Sequence, residues 1–170
     1  MKKIIVIGCP GSGKSTFSRA LHKLTGLPLH HLDLMYWNED KTIVNKEVFL
    51  DRLNNALNLD EWIIDGNYIS SMEMRIKKCD TIVFLDYPLE VCLEGVKNRK
   101  NQKRSDMPWI ETEDDLEFIE FIKKFNTECK PKILELLSVY SNKNIYTFNN
   151  RESAAEFLNA IKQMSLPLYE

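Results

Sequence analysis

Apolar runs alternate with amphipathic segments along the whole chain. Intervals of three and four between apolar residues predict a helix that follows Gly13 and ends before Gly26. This alternation predicts an α/β domain with a parallel sheet. Similar spacing predicts further helices around Leu53, Leu93, Phe121, Ile133 and Phe157, with Pro131 kinking or separating the pair on either side of it. Short aliphatic runs predict five strands, at Lys3–Ile7, Leu29–Leu32, Trp62–Ile64, Thr81–Leu85 and Ile145–Phe148.

The composition is typical of a cytoplasmic globular protein. Of the 170 residues, 44% are hydrophobic and 28% are charged, and we expect a single domain over 1–170. No apolar stretch approaches the ~20 residues that span a bilayer, and no secretory signal precedes the first strand. Four cysteines without C-x-x-C spacing favour a reducing compartment. A net charge of −2 gives no general attraction to nucleic acid, so we expect no direct binding to it.

The segment behind the first predicted strand, Gly8-Cys9-Pro10-Gly11-Ser12-Gly13-Lys14-Ser15, fits the phosphate-binding pattern G-x-x-x-x-G-K-[ST]. Glycines permit backbone shapes that turn N–H groups towards a phosphate, and the next helix points its positive end there. Lys14 is placed to reach the β- and γ-phosphates of ATP, and the Ser15 hydroxyl to ligate Mg²⁺. The alternative is a glycine-rich turn that binds nothing. The expected nucleotide contacts are Gly8, Pro10, Gly11, Ser12, Gly13, Lys14, Ser15 and Thr16.

Two apolar runs end in an aspartate, at Asp65 and at Asp86. Ligands of open α/β sheets gather outside the carboxyl ends of the strands, so either carboxylate is a candidate for the metal side of the site. We favour Asp65, because Gly66 after it permits close backbone approach to a ligand. Asp86 comes just before Pro88 and has a second interpretation, as a cap of the following helix.

Asp33 follows another predicted strand and is a candidate for holding or deprotonating an acceptor hydroxyl. Aromatic residues close to it in the sequence, and polar ones at the neighbouring strand end, predict a pocket with aromatic walls. The alternative is a capping aspartate beside two core aromatic residues. The expected lining is Asp33, Tyr36, Trp37, Gly66, Asn67 and Tyr68.

A basic block over Lys97–Arg104 directly precedes an acidic block over Glu111–Glu120. The basic block has no apolar residue, which predicts a loop between two helices. In a phosphotransferase, Arg99 and Arg104 would close over the phosphates and stabilise the transferring charge. The alternative is a solvated loop whose cations pair with the acidic block downstream.

The motifs of a GTPase are missing from the sequence. No D-x-x-G pattern occurs, and the two Asn-Lys pairs, Asn45-Lys46 and Asn142-Lys143, lack the aspartate that completes a guanine-binding motif. The chain is also short for a motor-type ATPase. A small ATP-dependent kinase is the class that remains.

The phosphate loop, Asp65-Gly66-Asn67-Tyr68 and the basic block resemble the adenylate-kinase-like branch of P-loop kinases. Adding His31-Leu32-Asp33, Tyr36-Trp37 and Trp62–Tyr68, the chain looks like the bacterial topology modulation proteins over nearly its whole length. The resemblance implies a P-loop NTPase three-layer sandwich, with a five-stranded parallel sheet of order 2-3-1-4-5 and a short lid at about 97–113. It assigns nucleotide and Mg²⁺ to Lys14 and Ser15, the lid to Arg99 and Arg104, the metal-side acid to Asp65, and the adenine region to Asn149, Asn150 and Arg151.

The acceptor side departs from adenylate kinases. Those enzymes grip the acceptor's phosphate with an arginine shortly after their Asp-Gly pair, where this chain has Asn67 and Tyr68 and, later, Arg75. A phosphate acceptor is normally met by bidentate arginines, and Arg75 is the candidate for such a contact. Asp33 is similar to the carboxylate with which shikimate- and gluconate-type kinases hold a hydroxyl.

These observations predict an ATP- and Mg²⁺-dependent phosphotransferase that acts on a small acceptor, either a hydroxylated metabolite or a nucleotide. We expect a monomer or homodimer. The alternative is a nucleotide-responsive regulator that affects DNA topology or gene expression, which would require a stripe of lysine and arginine beyond the 97–104 block.

Overall fold

Five parallel strands form the central sheet. The computed structural model describes residues 1–164. The strand order is β2-β3-β1-β4-β5, and each neighbouring pair runs parallel. The five predicted strands and the order 2-3-1-4-5 are therefore confirmed. The strands are β1 (Lys3–Gly8), β2 (Leu29–His31), β3 (Trp62–Asp65), β4 (Thr81–Leu85) and β5 (Asn144–Phe148).

Helices connect the strands and cover the sheet. Right-handed crossovers place α1 and α8, which contact each other, on the face opposite to α4 and α7, which also contact each other. None of the helices within residues 1–164 is long and apolar enough to cross a membrane. The helices are α1 (Lys14–Thr25), α2 (Leu32–Tyr36), α3 (Lys46–Leu57), α4 (Ile69–Lys78), α5 (Leu89–Arg99), α6 (Leu116–Lys124), α7 (Lys130–Val139) and α8 (Arg151–Met164).

A π-helical turn over Phe125–Cys129 joins α6 to α7. Pro131 lies in the first turn of α7, where the missing N–H costs no helical hydrogen bond. The π-helical turn, and not a break at the proline, therefore separates the two predicted helices.

The central strands are fully buried, as their continuous apolar runs require. Ile4, Ile5, Val6 and Ile7 of β1 have 0% of their surface exposed, because helices cover both faces of a parallel sheet. β1 pairs with β3 up to Val6–Asp65 and with β4 up to Gly8–Leu85. The carboxyl ends of β1, β3 and β4 therefore meet at one edge, where the phosphate loop begins.

Candidate active site

The phosphate loop connects β1 to α1 in a shape that its glycines permit. Gly11 and Gly13 have φ values of 84° and 92°, in the left-handed region that favours glycine. Within the described residues, no side chain caps the start of α1, and its first turn holds no acidic residue. The N–H groups at this end of α1 are therefore oriented for an anion.

Lys14, the first residue of α1, lies back over the loop. Its Nζ donates to the carbonyl oxygen of Cys9 at 3.0 Å. Burial lowers the pKa of Lys14, and the charges of Asp65 and Asp33 raise it in part. A desolvated ammonium beside a cradle of N–H groups fits the phosphates of a nucleotide.

The loop rests directly on α5. A β-carbon at Gly11 would lie 2.0 Å from the carbonyl oxygen of Cys92, and one at Gly95 would lie 2.1 Å from the carbonyl oxygen of Gly11. Both distances are far shorter than any van der Waals contact, so glycine is required at both positions. Helix α5 thus fixes the height of the loop above the sheet.

Asp65, the last residue of β3, pairs in register with His31 at the end of β2. His31 Nδ1 lies 2.9 Å from Asp65 Oδ1, and both side chains are buried. Burial alone would lower the pKa of His31, but the hydrogen bond and charge of Asp65 outweigh it and raise the pKa. Among the described residues, Asp65 Oδ2 is buried with no hydrogen-bond partner. This oxygen is free to accept from a metal-bound water.

Asp86 turns to the other side of the sheet edge. Its carboxylate lies 2.8 Å from Lys130 Nζ of α7. The residue that caps α5 is Pro88, and no side chain in the described part of the chain bonds to that helix start. Asp86 therefore neither caps α5 nor stays free for a metal.

Asp33 lies in α2, and Tyr68 holds it in place. The Tyr68 hydroxyl donates to Asp33 Oδ1 at 2.8 Å, and no other hydrogen bond reaches this carboxylate from residues 1–164. Burial raises the pKa of Asp33, while the Tyr68 hydrogen bond and the Lys14 charge lower it in part. One carboxylate oxygen thus stays open to a ligand near Lys14.

The segment Gly66–Tyr68 joins the two halves of the site. Gly66 and Tyr68 have positive φ values of 125° and 31°, and a left-handed tyrosine is a strained conformation that its surroundings must hold. Asn67 Oδ1 accepts from the backbone N–H of Gly8 at 3.0 Å. The acceptor-side segment is thereby tied to the phosphate loop.

Arg75 of α4 holds this segment from below. It is fully buried, and its guanidinium donates to the carbonyl oxygens of Gly66 at 2.8 Å and Tyr68 at 3.2 Å, and to that of Asn67. These hydrogen bonds occupy the guanidinium N–H groups that would otherwise be available to bind the phosphate of an acceptor. In this structure Arg75 shapes the strained turn.

An aromatic cluster lies beside Asp33 and is joined to it through Tyr68. Ring centroids of Tyr36 lie 4.9 Å from Tyr68, 5.2 Å from Trp37 and 5.6 Å from Phe49. Trp109, from the segment between α5 and α6, meets Trp37 edge-on at 5.4 Å. The structure thus brings Tyr36, Trp37 and Tyr68 together, as the sequence predicts, and adds Trp109 to them.

The segment over 100–115, here called the lid segment, folds back on α5 and α1. Arg99 at the end of α5 donates to Glu111 at 2.8 Å, and Arg104 donates to the same carboxylate at 3.0 Å. Lys100 pairs with Asp114 at 2.9 Å. The basic block is therefore paired with the acidic block in this structure, and a contact of either arginine with phosphate stays a prediction.

Asp106 fastens the lid segment to α1. It is 1% exposed, and its carboxylate lies 2.5 Å from Arg104 and 3.3 Å from Arg19. Burial alone would raise the pKa of Asp106, but its hydrogen bond and ion pair with Arg104 hold the pKa well below its usual range. The side chain of Ser15 contributes to lowering the pKa of this carboxyl.

These oxygen ligands fit Mg²⁺ bound together with a nucleotide. Mg²⁺ is usually held by one or two carboxylates, waters and substrate phosphates, and Ser15, Asp65 and Asp106 supply suitable oxygens. No group of three His, Cys, Asp or Glu side chains among residues 1–164 could hold a metal.

The remaining predicted residues lie around the loop. Pro10 is half-buried within it, and Thr16 is exposed on α1 with Arg19 donating to its hydroxyl at 3.3 Å. Asn150 Oδ1 accepts from the N–H of Ser153 at 2.9 Å at the start of α8, where Arg151 is exposed. That Asn150 and Arg151 lie near an adenine stays a prediction.

Sequence reasoning missed several residues of this site. His31 was interpreted as a strand residue only, since its partner Asp65 lies 34 positions away. Asp106 stands alone among basic neighbours, and that isolation was the one signal that could have marked it. No local sequence pattern marks Glu111 or Trp109 as part of the site, and only the fold places them there.

Comparisons with known proteins support the fold. No family model matches the chain, and no curated protein matches it either. Among solved structures, it is similar to shikimate kinase from Acinetobacter baumannii in complex with shikimate, with a TM-score of 0.58 and 20% identity over 96% of this chain and 92% of that one. It is also similar to a gluconokinase from Sinorhizobium meliloti 1021, with a TM-score of 0.57 and 13% identity over 96% and 91%. At these identities the likeness shows the fold alone, a five-stranded parallel sheet with connecting helices.

Proposed function

We propose that the protein is an ATP- and Mg²⁺-dependent phosphotransferase that acts on the hydroxyl of a small acceptor. The observation that carries the proposal is Asp33, a sequestered carboxylate with one open oxygen, whose charge acts on Lys14 of the phosphate loop. A hydroxyl bound to that oxygen would lie on the acceptor side of the γ-phosphate.

The reaction follows from this arrangement. The acceptor hydroxyl donates a hydrogen bond to Asp33, and its oxygen attacks the γ-phosphorus of ATP. The bond between that phosphorus and the leaving ADP oxygen breaks, and Asp33 takes the hydroxyl proton. The raised pKa of Asp33 brings it closer to neutral pH, which favours proton acceptance. Mg²⁺, when bound, offsets the charge of the β- and γ-phosphates.

The cations around the loop complete the proposed mechanism. Lys14 exchanges the Cys9 carbonyl for phosphate oxygens. Arg99 and Arg104 are proposed to turn part of their donors from Glu111 to the transferring group, where positive charge stabilises the transition state. Asp65 and Ser15 are proposed to hold Mg²⁺ and its waters.

Wider features of the proposal rest on the fold and the sequence. The similar solved structures are named as kinases of small molecules, which agrees with a small acceptor. We propose a cytoplasmic protein without direct nucleic-acid contacts, since Arg99, Lys100 and Arg104 of the basic block have carboxylate partners. Membership of the topology modulation proteins stays a prediction from resemblance.

The direct test is ATP consumption by the purified protein with Mg²⁺, over a panel of hydroxylated metabolites, nucleosides and nucleoside monophosphates. Turnover should depend on one acceptor class, and Lys14→Ala should abolish it while retaining the wild-type circular dichroism spectrum. Lys23→Ala, on the exposed side of α1, is the matched control. An active Lys14→Ala variant would rule out the mechanism.

A further inference from the structure

The hydrogen-bond and ion-pair partners of the arginines indicate which class of acceptor the site does not favour. A phosphate or carboxylate on an acceptor is normally met by a bidentate guanidinium. Three of the six arginines pair with carboxylates, and two donate to backbone carbonyls. The six are Arg19, Arg99 and Arg104 on Asp106 or Glu111, Arg75 on the Gly66–Tyr68 turn, Arg151 at the start of α8, and Arg52 on α3.

Arg52 is the remaining arginine near α2. It is exposed, and its Nη1 donates to the carbonyl oxygen of Met35 at 2.9 Å. Its contact is thus with the backbone of α2, whereas Asp33 accepts a hydrogen bond from Tyr68 on Oδ1 and interacts with the charge of Lys14. The charge of Asp33 also acts on Arg104, but the donors of Arg104 lie on Asp106 and Glu111 and are proposed to serve the transferring phosphate. An anionic acceptor would therefore find no arginine with unengaged donors beside Asp33.

Negative charge gathers where the acceptor would lie. Asp33, Asp65 and Asp106 are close enough for the latter two to raise the pKa of the first. Asp65 is hydrogen-bonded to His31, and Asp106 is paired with Arg104 and Arg19, whereas Asp33 has no cationic partner at ion-pair distance among residues 1–164. An anion placed beside the Asp33 carboxylate is therefore repelled, and burial strengthens that repulsion. The one nearby lysine, Lys14, belongs to the phosphate loop.

The walls of the site are aromatic. Tyr36, Trp37 and Tyr68 lie within contact distance of one another, and Trp109 brings a further ring from the lid segment. Aromatic faces bind flat or apolar ligands and do not require an anionic group on them. The lid segment holds Trp109 against Trp37 in this structure, so an acceptor beside Trp37 would also contact Trp109.

We propose that the acceptor is an uncharged hydroxyl compound with a ring that packs against Tyr36, Trp37 and Trp109 while its hydroxyl bonds to Asp33. Nucleosides belong to this class, and nucleoside monophosphates, sugar acids and other carboxylates do not. This inference rests on the proposed function and narrows its substrate class.

Matched pairs that differ in one charge test the proposal. Suitable pairs are adenosine and AMP, thymidine and TMP, and methyl shikimate and shikimate. Binding to the protein loaded with Mg²⁺ and a non-hydrolysable ATP analogue is followed by tryptophan fluorescence, and turnover is followed with ATP. In at least one pair the uncharged member should bind about tenfold more tightly or better. Tighter binding of the charged member throughout, or no binding by any compound, would overturn the proposal.

Variants separate this inference from the proposed function. Trp37→Ala should weaken the binding of the uncharged acceptor by about tenfold, whereas Arg52→Ala should leave that binding unchanged. If Arg52→Ala instead weakens an anionic acceptor that is phosphorylated, the phosphotransferase stands and the uncharged class is wrong. If an uncharged compound binds through Trp37 but no pair supports ATP turnover, the uncharged ligand class stands and phosphoryl transfer is wrong.

Discussion

The carbonyl oxygen of Gly11 lies against the α-carbon of Gly95, so the phosphate loop and α5 touch backbone to backbone. This contact places the loop, and through it the start of α1, at a fixed height above the strand ends. The geometry of the phosphate loop therefore depends on a helix that contributes no side chain at this point.

Gly95→Ala tests that contact. In a helix interior this change ordinarily stabilises by about 1 kcal/mol, but here the new β-carbon would lie 2.1 Å from the Gly11 oxygen. We expect the variant to bind ATP more weakly and to melt at a lower temperature than wild type. Glu94→Ala, at the neighbouring exposed position of α5, is the control and should change neither property. A Gly95→Ala protein that is more stable and binds ATP normally would show that the contact is not tight.

Tyr68→Phe tests the control of Asp33. The Tyr68 hydroxyl lowers the pKa of Asp33 in part, so its removal should raise that pKa further. Because the proposed base must be ionised, the acid limb of the profile of kcat against pH should move to higher pH. In the wild type it is Tyr68, and not Tyr36, that donates to Asp33, so Tyr36→Phe serves as the comparison. An unshifted acid limb in Tyr68→Phe would mean that Asp33 does not titrate in the reaction.

Asp106→Asn tests the fastening of the lid segment. The change leaves Arg104 and Arg19 without their shared carboxylate, and breaking a buried pair costs about 3–5 kcal/mol. We expect faster amide hydrogen exchange over 100–115 and a lower urea midpoint. The stabilisation exists at neutral pH and is lost as pH falls through the lowered pKa of Asp106.

The exposed pair Lys100–Asp114 provides the control for the lid segment. Asp114→Asn should cost about 1 kcal/mol or less, because surface ion pairs contribute little. Equal exchange rates in Asp106→Asn and Asp114→Asn would contradict the fastening role of Asp106.

His31→Asn tests the pair at the end of β2 and β3. Because Asp65 raises the pKa of His31 in the folded protein, the pair contributes stability that is complete below the usual histidine pKa of about 6.5. This contribution is lost as pH rises through the raised pKa. Urea unfolding at pH 5.5 and 8.5, about one to two units on either side of that value, should therefore show a larger deficit of the variant at the lower pH. If the loss of stability in His31→Asn instead grew with pH, His31 would not be the cationic partner of Asp65.

The sequence was sufficient for the elements that repeat one local pattern. The run Ile4–Ile7, the glycines of the loop and the apolar stripe of α1 each indicate their structure within a few residues. Helix α4 was not predicted, because it buries only a few apolar side chains such as Met72 and Ile76, and its polar Arg75 is buried as well. The spacing of apolar residues does not reveal an arginine whose burial depends on hydrogen bonds to backbone carbonyl oxygens.

The missing parts of the site are contacts between distant segments. The pair His31–Asp65 requires the order of the strands, and the Asp106 cluster requires the path of the lid segment over α1. Arg99 and Arg104 were identified from their charge, but their shared partner Glu111 depends on how the loop folds back. Charge pattern alone left two interpretations, and the structure supplies the pairing.

The central claim is that Asp33 receives the acceptor hydroxyl beside a phosphate loop that binds ATP. The most direct measurement is acceptor-dependent transfer of the labelled γ-phosphate in Asp33→Asn, with ATP affinity measured on the same sample. Asp86→Asn, at the strand end that pairs with Lys130, is the control. Asp33→Asn should bind ATP normally and lose at least about a hundredfold in transfer, while Asp86→Asn should retain transfer. Full transfer in Asp33→Asn would mean that the Asp33 carboxylate plays no part in the reaction.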